Sequence, residues 1–226
     1  MGEHSRLTAS DGFELGAYRS APTGTPIGGV VVIQEIFGVN EHIRAVADRY
    51  AAHGYLAVAP ALFDRVERGV ELGYDADGMT QGIDLARVKT DPVAVMLDLR
   101  AAAAAVASAG KVGVVGYCWG GLLTARCAIE CGDVFAAASS YYGGGTPALK
   151  DRTPVVPMIM HYGELDHALP LEDVRALAAA WPQVTVHVYD GAQHGFNCDQ
   201  RASWDAASAA LAEERTLAFF AEQLGA

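Results

Sequence analysis

The sequence predicts an α/β protein with a mostly parallel sheet covered by helices on both faces. Strand-like apolar runs alternate with helix-like segments along nearly the whole chain, the order expected of parallel strands joined by right-handed crossovers. The run G-V-V-V-I-Q at 29–34 is rich in β-branched residues and has no polar interruption, which is typical of a strand buried on both faces. No internal repeat or low-complexity tract divides the 226 residues, so we expect a single domain over 1–226.

The first elements in chain order are a hairpin and a capped helix. Residues 6–20 alternate between apolar and polar types around Asp11-Gly12, a dipeptide that favours a tight hairpin turn. After the strand at 29–34, Asn40 is placed to cap a helix over 41–53. These two predictions depend on local sequence alone.

The middle of the chain has the weakest pattern. Residues 61–92 mix glycines with acidic residues and predict a surface excursion with short helical turns. Pro92 then opens an alanine-rich helix over 93–109. The other predicted elements are strands over 55–59, 111–115, 135–141, 155–161 and 184–189, and helices over 122–129, 171–180 and 202–224. The spacing of Leu211, Leu217, Phe220 and Leu224 makes the last of these helices amphipathic, with these residues expected on its buried face.

Composition and charge exclude several function classes. The formal net charge is −11, which argues against nucleic acid or an anionic membrane surface as a partner. The N-terminal residues lack the apolar core of a signal peptide, and no apolar run is long enough to cross a bilayer. We therefore expect a cytoplasmic protein without a membrane partner.

Four cysteines occur in the chain. Cys127 and Cys131 are four residues apart on one helix face, and we expect buried thiols there rather than metal ligands or a redox pair. A redox pair between Cys118 and Cys198 is a weaker alternative. Because no short-spaced Cys and His cluster is present, neither a metal site nor a cofactor is predicted.

The stretch around Cys118 has the pattern of a nucleophile elbow. Such an elbow places a reactive side chain on a sharp turn between a strand and a helix, usually as G-x-S-x-G. Here Gly116-Tyr117-Cys118-Trp119-Gly120 carries a thiol in place of the serine hydroxyl. The flanking glycines suit a strained backbone and a close approach of strand and helix.

A thiol nucleophile needs a base and an acid that orients the base. In hydrolases with such an elbow, the acid and then the histidine follow the nucleophile on loops after later strands. Asp166 follows the strand predicted to end at His161, and His194 follows the strand predicted to end at Tyr189. Glu164 is the local competitor for the role of the acid, and Asp166 is preferred.

These residues predict acyl transfer at Cys118. The N-terminus of the following helix favours a thiolate, and His194 is placed to take the thiol proton. Attack on an ester or lactone carbonyl produces an oxyanion, for which the backbone N–H groups of Trp119 and Ile36 are the predicted donors. Glu35 lies next to one donor, where it is either a solvated loop acid or a switch partner of the resting thiol.

Six segments carry a resemblance that covers nearly the whole chain. They are Q-E-I-F-G-V-N (34–40), V-G-Y-C-W-G-G (115–121), Y-Y-G (141–143), G-E-L-D-H (163–167), H-G-F-N (194–197) and E-R-T-L-A-F-F (214–220). With these motifs the sequence resembles the dienelactone hydrolase family, whose type activity is carboxymethylenebutenolidase.

The resemblance implies an α/β-hydrolase fold with an eight-stranded sheet and a catalytic triad of Cys118, Asp166 and His194. It also implies a role for Glu35 at the resting thiol, where substrate binding shifts the carboxylate so that it helps to deprotonate the cysteine. One residue in each of three motifs is a predicted substrate-binding residue: Phe37, Tyr142 and Phe196.

The chain departs from the family pattern in its arginines. Members that hydrolyse dienelactone hold the substrate carboxylate with two arginines, one of them a few residues after the catalytic histidine. Here the first arginine after His194 is Arg201, and Arg65, Arg68 and Arg87 precede the long helix without a secure match.

The sequence therefore predicts a cysteine-dependent hydrolase of a small-molecule carboxylic ester or lactone, acting through an acyl-enzyme as a monomer or weak dimer. The alternative is a ligand-binding or thiol-reactive protein on the same fold, without hydrolysis.

Overall fold

The computed structural model describes residues 2–225. Eight strands form one sheet: β1 (Glu3–Thr8), β2 (Glu14–Ser20), β3 (Gly29–Ile33), β4 (Leu56–Pro60), β5 (Val112–Tyr117), β6 (Ala137–Tyr141), β7 (Met158–Gly163) and β8 (Thr185–Tyr189). Their order is β1-β2-β4-β3-β5-β6-β7-β8. The β1–β2 and β2–β4 pairs are antiparallel, whereas the β3–β4, β6–β7 and β7–β8 pairs are parallel. This confirms the predicted eight-stranded, mostly parallel sheet.

Six α-helices occur among the described residues, five of them between strands and the last one after β8. They are α1 (Glu41–Ala52), α2 (Ala76–Asp84), α3 (Ala94–Val106), α4 (Trp119–Glu130), α5 (Leu171–Ala180) and α6 (Ala206–Leu224). By its internal contacts the chain divides into two compact units, Met1–Gly113 and Val114–Ala226. The single domain over 1–226 stays a prediction.

The first unit begins with the predicted hairpin. β1 and β2 pair with Leu7 opposite Leu15, and Gly12 takes the left-handed conformation (φ +86°) that the turn needs. β3 is buried along its whole length, as its apolar run predicts. The Asn40 side chain caps α1 by accepting a hydrogen bond from the Ile43 N–H over 3.2 Å, which confirms the predicted cap.

The segment 61–92 contains more regular structure than the sequence indicates. Asp75 caps α2, which continues into a π-helical turn over Leu85–Lys89. Gly78 and Gly82 weaken the helical pattern in the sequence, but the backbone packed against them leaves no room for a side chain at either position. A Cβ on Gly78 would overlap the Gly73 carbonyl, and one on Gly82 would overlap the Ile36 carbonyl.

The second unit carries the later strands and α4 to α6. The boundaries of α5 match the prediction, whereas β7 starts at Met158 rather than 155. α6 starts at Ala206 rather than 202, because Asp205 caps it through a 2.7 Å hydrogen bond from the Ser208 N–H.

The buried face of α6 also differs from the predicted one. Leu211 was expected to face the core but is 39% exposed. The buried positions are Ser208, Ala212, Thr216, Phe220 and Leu224. Thr216 is buried because its hydroxyl is hydrogen-bonded inside the unit.

Two further predictions concern the thiols and the membrane. No disulfide forms among the four cysteines, all within the described residues, and burial raises the pKa of the Cys127 thiol well above its ordinary value. Between residues 2 and 225, no single helix is long and apolar enough to cross a membrane. One bent pair, Ala76–Lys89 with Ala94–Ala109, meets the criterion by length and composition.

Candidate active site

The backbone at Cys118 has the geometry of a nucleophile elbow. Cys118 lies between the last residue of β5 and the first residue of α4, with φ +56° and ψ −115°. This left-handed conformation is strained for a residue other than glycine. The Cys118 N–H donates to the Tyr141 carbonyl over 3.0 Å, and the Cys118 carbonyl accepts from the Gly121 N–H over 2.9 Å. These bonds hold the half-buried thiol at the start of a helix.

The glycines around Cys118 are required by contacts rather than by flexibility alone. A Cβ on Gly116 would overlap the Gly120 carbonyl oxygen, which lies in the first turn of α4. A Cβ on Gly121 would lie 2.6 Å from the Tyr141 carbonyl oxygen and 2.8 Å from the Cα of Gly143. The G-x-C-x-G-G pattern therefore lets α4 pack directly against the ends of β5 and β6.

The predicted acid and base meet in the second unit. The His194 Nδ1–H donates to Asp166 Oδ2 over 2.8 Å, and the Asp166 side chain is fully buried. The other carboxylate oxygen of Asp166 accepts the Ala168 N–H over 2.9 Å. Because both carboxylate oxygens are engaged, the orientation of the imidazole is fixed.

The third member of the predicted triad also contacts His194. Cys118 lies close enough to His194 to influence the pKa of the imidazole. Since Nδ1 faces Asp166, Nε2 is the ring nitrogen left for the sulfur. Burial alone would lower the pKa of His194. The charge of Cys118, together with the hydrogen bonds to Asp166 and Cys118, instead raises that pKa to about 10. The environment thus favours a protonated imidazole.

Glu164, the competing acid, has a different partner. Its Oε2 accepts the Gly191 N–H over 2.9 Å. The Tyr189 carbonyl accepts both the Glu164 N–H over 2.9 Å and the Ala192 N–H over 3.3 Å. Glu164 therefore joins the two loops that carry Asp166 and His194, and it is Asp166 that contacts the imidazole.

Two of the predicted substrate-binding residues lie beside His194. The Tyr142 ring packs edge-on against the His194 ring with centroids 5.1 Å apart, and Phe196 lies 5.4 Å from Tyr142. Both aromatic side chains are fully buried, so they form a wall behind the imidazole. Tyr142 also has φ +39°, a strained backbone that nothing in the sequence indicated.

Glu35 lies in the first unit and is fully buried, so it is not a solvated loop acid. The Tyr74 hydroxyl donates to Glu35 Oε2 over 3.2 Å, and the Tyr74 ring packs 4.5 Å from that of Phe37, the third predicted substrate-binding residue. Ile36 is also buried. Sequence reasoning missed Tyr74, because the segment 61–92 carries no pattern that marks it.

Two of the three arginines noted before α3, Arg65 and Arg68, have local partners. Arg65 donates to Asp98 and Asp11, and Arg68 lies 3.6 Å from Asp64. Arg201, by contrast, lies beside the loop of the predicted base. An ideal Cβ on Gly195 would lie 2.5 Å from an Arg201 guanidinium nitrogen, so glycine at 195 leaves room for that arginine.

Comparison with known proteins decides the family. The model of the dienelactone hydrolase family matches residues 15–224. The chain belongs to this family. It is 34% identical over 224 residues to the carboxymethylenebutenolidase of Pseudomonas putida, covering 95% of this chain and 94% of that protein.

Solved structures agree with this assignment. A Klebsiella pneumoniae protein assigned to the dienelactone hydrolases shares 30% identity over 98% of this chain and 99% of its own, with a TM-score of 0.85. The fold alone is shared with a dienelactone hydrolase-like promiscuous phosphotriesterase from metagenomic libraries, at 21% identity, 98% coverage of both chains and a TM-score of 0.78. The predicted family and α/β-hydrolase fold are confirmed, as is the enzyme class, a dienelactone hydrolase-like hydrolase of esters or lactones.

Proposed function

We propose that this dienelactone hydrolase family member cleaves a carboxylic ester or lactone through an acyl-enzyme on Cys118. The observation that carries the proposal is the grouping of Asp166, His194 and Cys118, with 2.8 Å between Asp166 Oδ2 and His194 Nδ1 and with Cys118 close enough to raise the pKa of the imidazole. A thiolate, a base and an orienting carboxylate in this order are the components of nucleophilic acyl transfer.

The proposed reaction has two halves. The Cys118 thiolate attacks the substrate carbonyl carbon, and the His194 imidazolium then gives its proton to the departing alkoxide, which leaves a thioester. Water, deprotonated by His194, then attacks the thioester carbonyl carbon. The C–S bond breaks, the acid is released, and the Cys118 thiolate and the His194 imidazolium, which keeps the proton taken from water, are restored. Asp166 keeps the imidazole oriented in both halves.

The oxyanion in each half needs hydrogen-bond donors. We assign the backbone N–H groups of Trp119 and Ile36 to this role. Trp119 is the first residue of α4, where backbone N–H groups have no acceptor within the helix. In comparable sites one such donor lowers the activation barrier by about 3 kcal/mol.

Glu35 is the proposed partner of the resting thiol. Its full burial and its hydrogen bond from Tyr74 support a functional role, because a buried carboxyl group without a task is costly to keep. In this proposal, substrate binding moves the carboxyl group away from its resting position.

The specificity of the site for charged or neutral substrates depends on which arginines reach it. The relative from Pseudomonas putida is a carboxymethylenebutenolidase, and we extend the ester or lactone class from that name to this chain. Arg201 is the arginine found beside the His194 loop and is our candidate for contacting an anionic group. Arg201→Met should then lower kcat/KM for a carboxylate-bearing ester more than for a neutral one.

The decisive test is turnover of a chromogenic acetyl ester by Cys118→Ala. We expect no turnover above background, while Cys127→Ala, which removes a buried thiol of α4, keeps the wild-type rate per folded molecule. Turnover by Cys118→Ala would overturn the proposal. A ligand that protects Cys118 from alkylation without product release would favour the non-hydrolytic alternative.

A further inference from the structure

A buried polar cluster in the second unit takes no direct part in the proposed reaction. Its centre is His161, a fully buried residue of β7. The His161 Nδ1 lies 2.8 Å from the Tyr189 hydroxyl, and Nε2 lies 3.1 Å from the Thr216 hydroxyl. Thr216, also fully buried, brings α6 into the cluster.

Arg215 lies at the edge of this cluster, over the Tyr189 ring and 5.3 Å from its centroid. Burial lowers the pKa of His161 well below its ordinary value, and the nearby His187 and Arg215 lower it further. The neutral ring carries one N–H and one acceptor nitrogen, so it donates to one of its two hydroxyl partners, Tyr189 and Thr216, and accepts from the other.

The hydroxyl of Thr216 is then fully used. Besides His161 Nε2, it lies 2.8 Å from the Tyr141 hydroxyl and 3.0 Å from that of Ser139. One hydroxyl offers one donor and two acceptor positions, and three buried partners fill them. Loss of this single hydroxyl would leave three buried polar groups short of a partner.

The cluster connects to the site through backbone groups. The carbonyl of Tyr141 accepts the Cys118 N–H over 3.0 Å, and the carbonyl of His161 accepts the Tyr142 N–H over 2.7 Å. The carbonyl of Tyr189 accepts N–H groups from the loops of Asp166 and His194. Tyr141, His161 and Tyr189 thus also hold backbone near the triad.

We infer that Thr216 is a positioning residue of this hydrolase, which sets the relative placement of Cys118 and His194 through Tyr141 and through the His161–Tyr189 pair. Thr216 itself does not touch the reacting atoms, and its shortest connection to the Cys118 backbone runs through Tyr141 by two hydrogen bonds. The inference rests on the proposed catalytic role of Cys118 and His194.

Two variants of Thr216 test this inference. Thr216→Val keeps the shape of the side chain and removes the hydroxyl, whereas Thr216→Ser keeps the hydroxyl. We expect Thr216→Val to lower kcat by about 5- to 50-fold, with KM within about twofold, because small displacements of catalytic groups act on the chemical step. Alkylation of Cys118 by iodoacetamide should slow in parallel, and Thr216→Ser should restore most of both rates.

A control separates positioning from a general loss of stability. Ser20→Ala removes a 2.6 Å hydrogen bond to Asp48 in the first unit. All rates are measured below the onset of unfolding of each variant. We expect Ser20→Ala to lower the unfolding midpoint while kcat stays at the wild-type value. A Thr216→Val protein with a lowered midpoint and wild-type kcat and alkylation rate would overturn the inference.

A double variant tests the connection within the cluster. Tyr189→Phe removes the hydroxyl at the other side of His161, and if both groups act through that ring, the losses in kcat are less than multiplicative in Thr216→Val/Tyr189→Phe. Multiplicative losses would also overturn the inference. Failure of the proposed function is distinguishable, since Cys118→Ala would then keep turnover, whatever the Thr216 variants do.

Discussion

The Tyr74 hydroxyl donates a hydrogen bond to Oε2 of the buried Glu35 over 3.2 Å. The direction of this bond is fixed by Asn40, whose side-chain amide donates to the same hydroxyl over 3.1 Å. Asn40 also caps α1, so one short chain of side chains joins a helix start, a tyrosine of the segment 61–92 and the acid proposed as the resting partner of the thiol.

Tyr74→Phe should destabilise the protein without disturbing the packing of the ring. The Phe37 contact at 4.5 Å is kept, but Glu35 loses a donor inside the protein. We expect the free energy of unfolding in urea to fall by about 1–3 kcal/mol. In a Glu35→Leu background the same change should cost clearly less, since the acceptor is gone. Equal costs in both backgrounds would contradict the assigned bond.

His194 should remain protonated through neutral pH. Its pKa is raised from 6.5 to about 10, because the charge of Cys118 and the two hydrogen bonds outweigh burial, which lowers it. A raised pKa in the folded state means that this stabilisation is complete below pH 6.5 and is lost as the pH rises through about 10.

The check is an NMR titration of the His194 ring alongside urea unfolding over the same pH range. In Cys118→Ala the influences of Cys118 that raise the His194 pKa disappear, so we expect a lower His194 pKa and a flatter stability profile. A wild-type ring that titrates near 6.5 would refute the prediction.

Gly116→Ala should be strongly destabilising. The new methyl group would overlap the Gly120 carbonyl oxygen and lie 2.5 Å from Thr124 Oγ1, so β5 and α4 would have to separate. We expect a loss of about 3 kcal/mol or more in urea unfolding. Gly144→Ala is the matched control, because nothing lies within 4 Å of its Cβ position. Its effect should stay within about 0.5 kcal/mol.

Arg65→Met should also be destabilising. Arg65 pairs with Asp98 over 2.8 Å, and the Asp98 side chain is fully buried, so the variant leaves a buried carboxylate without its cation. We expect a loss of about 3–5 kcal/mol at neutral pH. Arg68→Met is the control. The Arg68 side chain is 61% exposed, and its loss should cost about 1 kcal/mol or less.

The stability loss caused by Arg65→Met should depend on pH. Burial raises the pKa of Asp98, and Arg65 opposes that rise, so the pKa rises further in Arg65→Met. The penalty of the variant therefore shrinks as the pH falls toward the ordinary value of 3.8, where Asp98 is neutral. A difference in unfolding free energy that does not change with pH would argue against the buried pair.

Much of the fold follows from local sequence. The hairpin at Asp11-Gly12, the cap at Asn40 and the apolar run of β3 were all predictable, because turns, caps and buried strands depend on residues next to one another. α2 was not, since Gly78 and Gly82 resemble loop residues until the backbone groups packed against them are known.

The same distinction applies to the buried face of α6. Apolar periodicity pointed to Leu211, but the helix buries Thr216, whose hydroxyl finds three partners on other elements. A polar side chain is buried where hydrogen-bond partners are available to it, and apolar periodicity contains no information about those partners.

The sequence by itself determined the family motifs, the order of strands and helices, and the chain order of Cys118, Asp166 and His194. The tertiary structure alone decided that Asp166 rather than Glu164 contacts the imidazole, that Glu35 is buried with Tyr74 as a donor, and that Arg65 is committed to Asp98. The physical reason is range. A motif is a property of neighbouring residues, whereas a hydrogen bond requires residues far apart in the chain to be placed with a precision of a few tenths of an ångström.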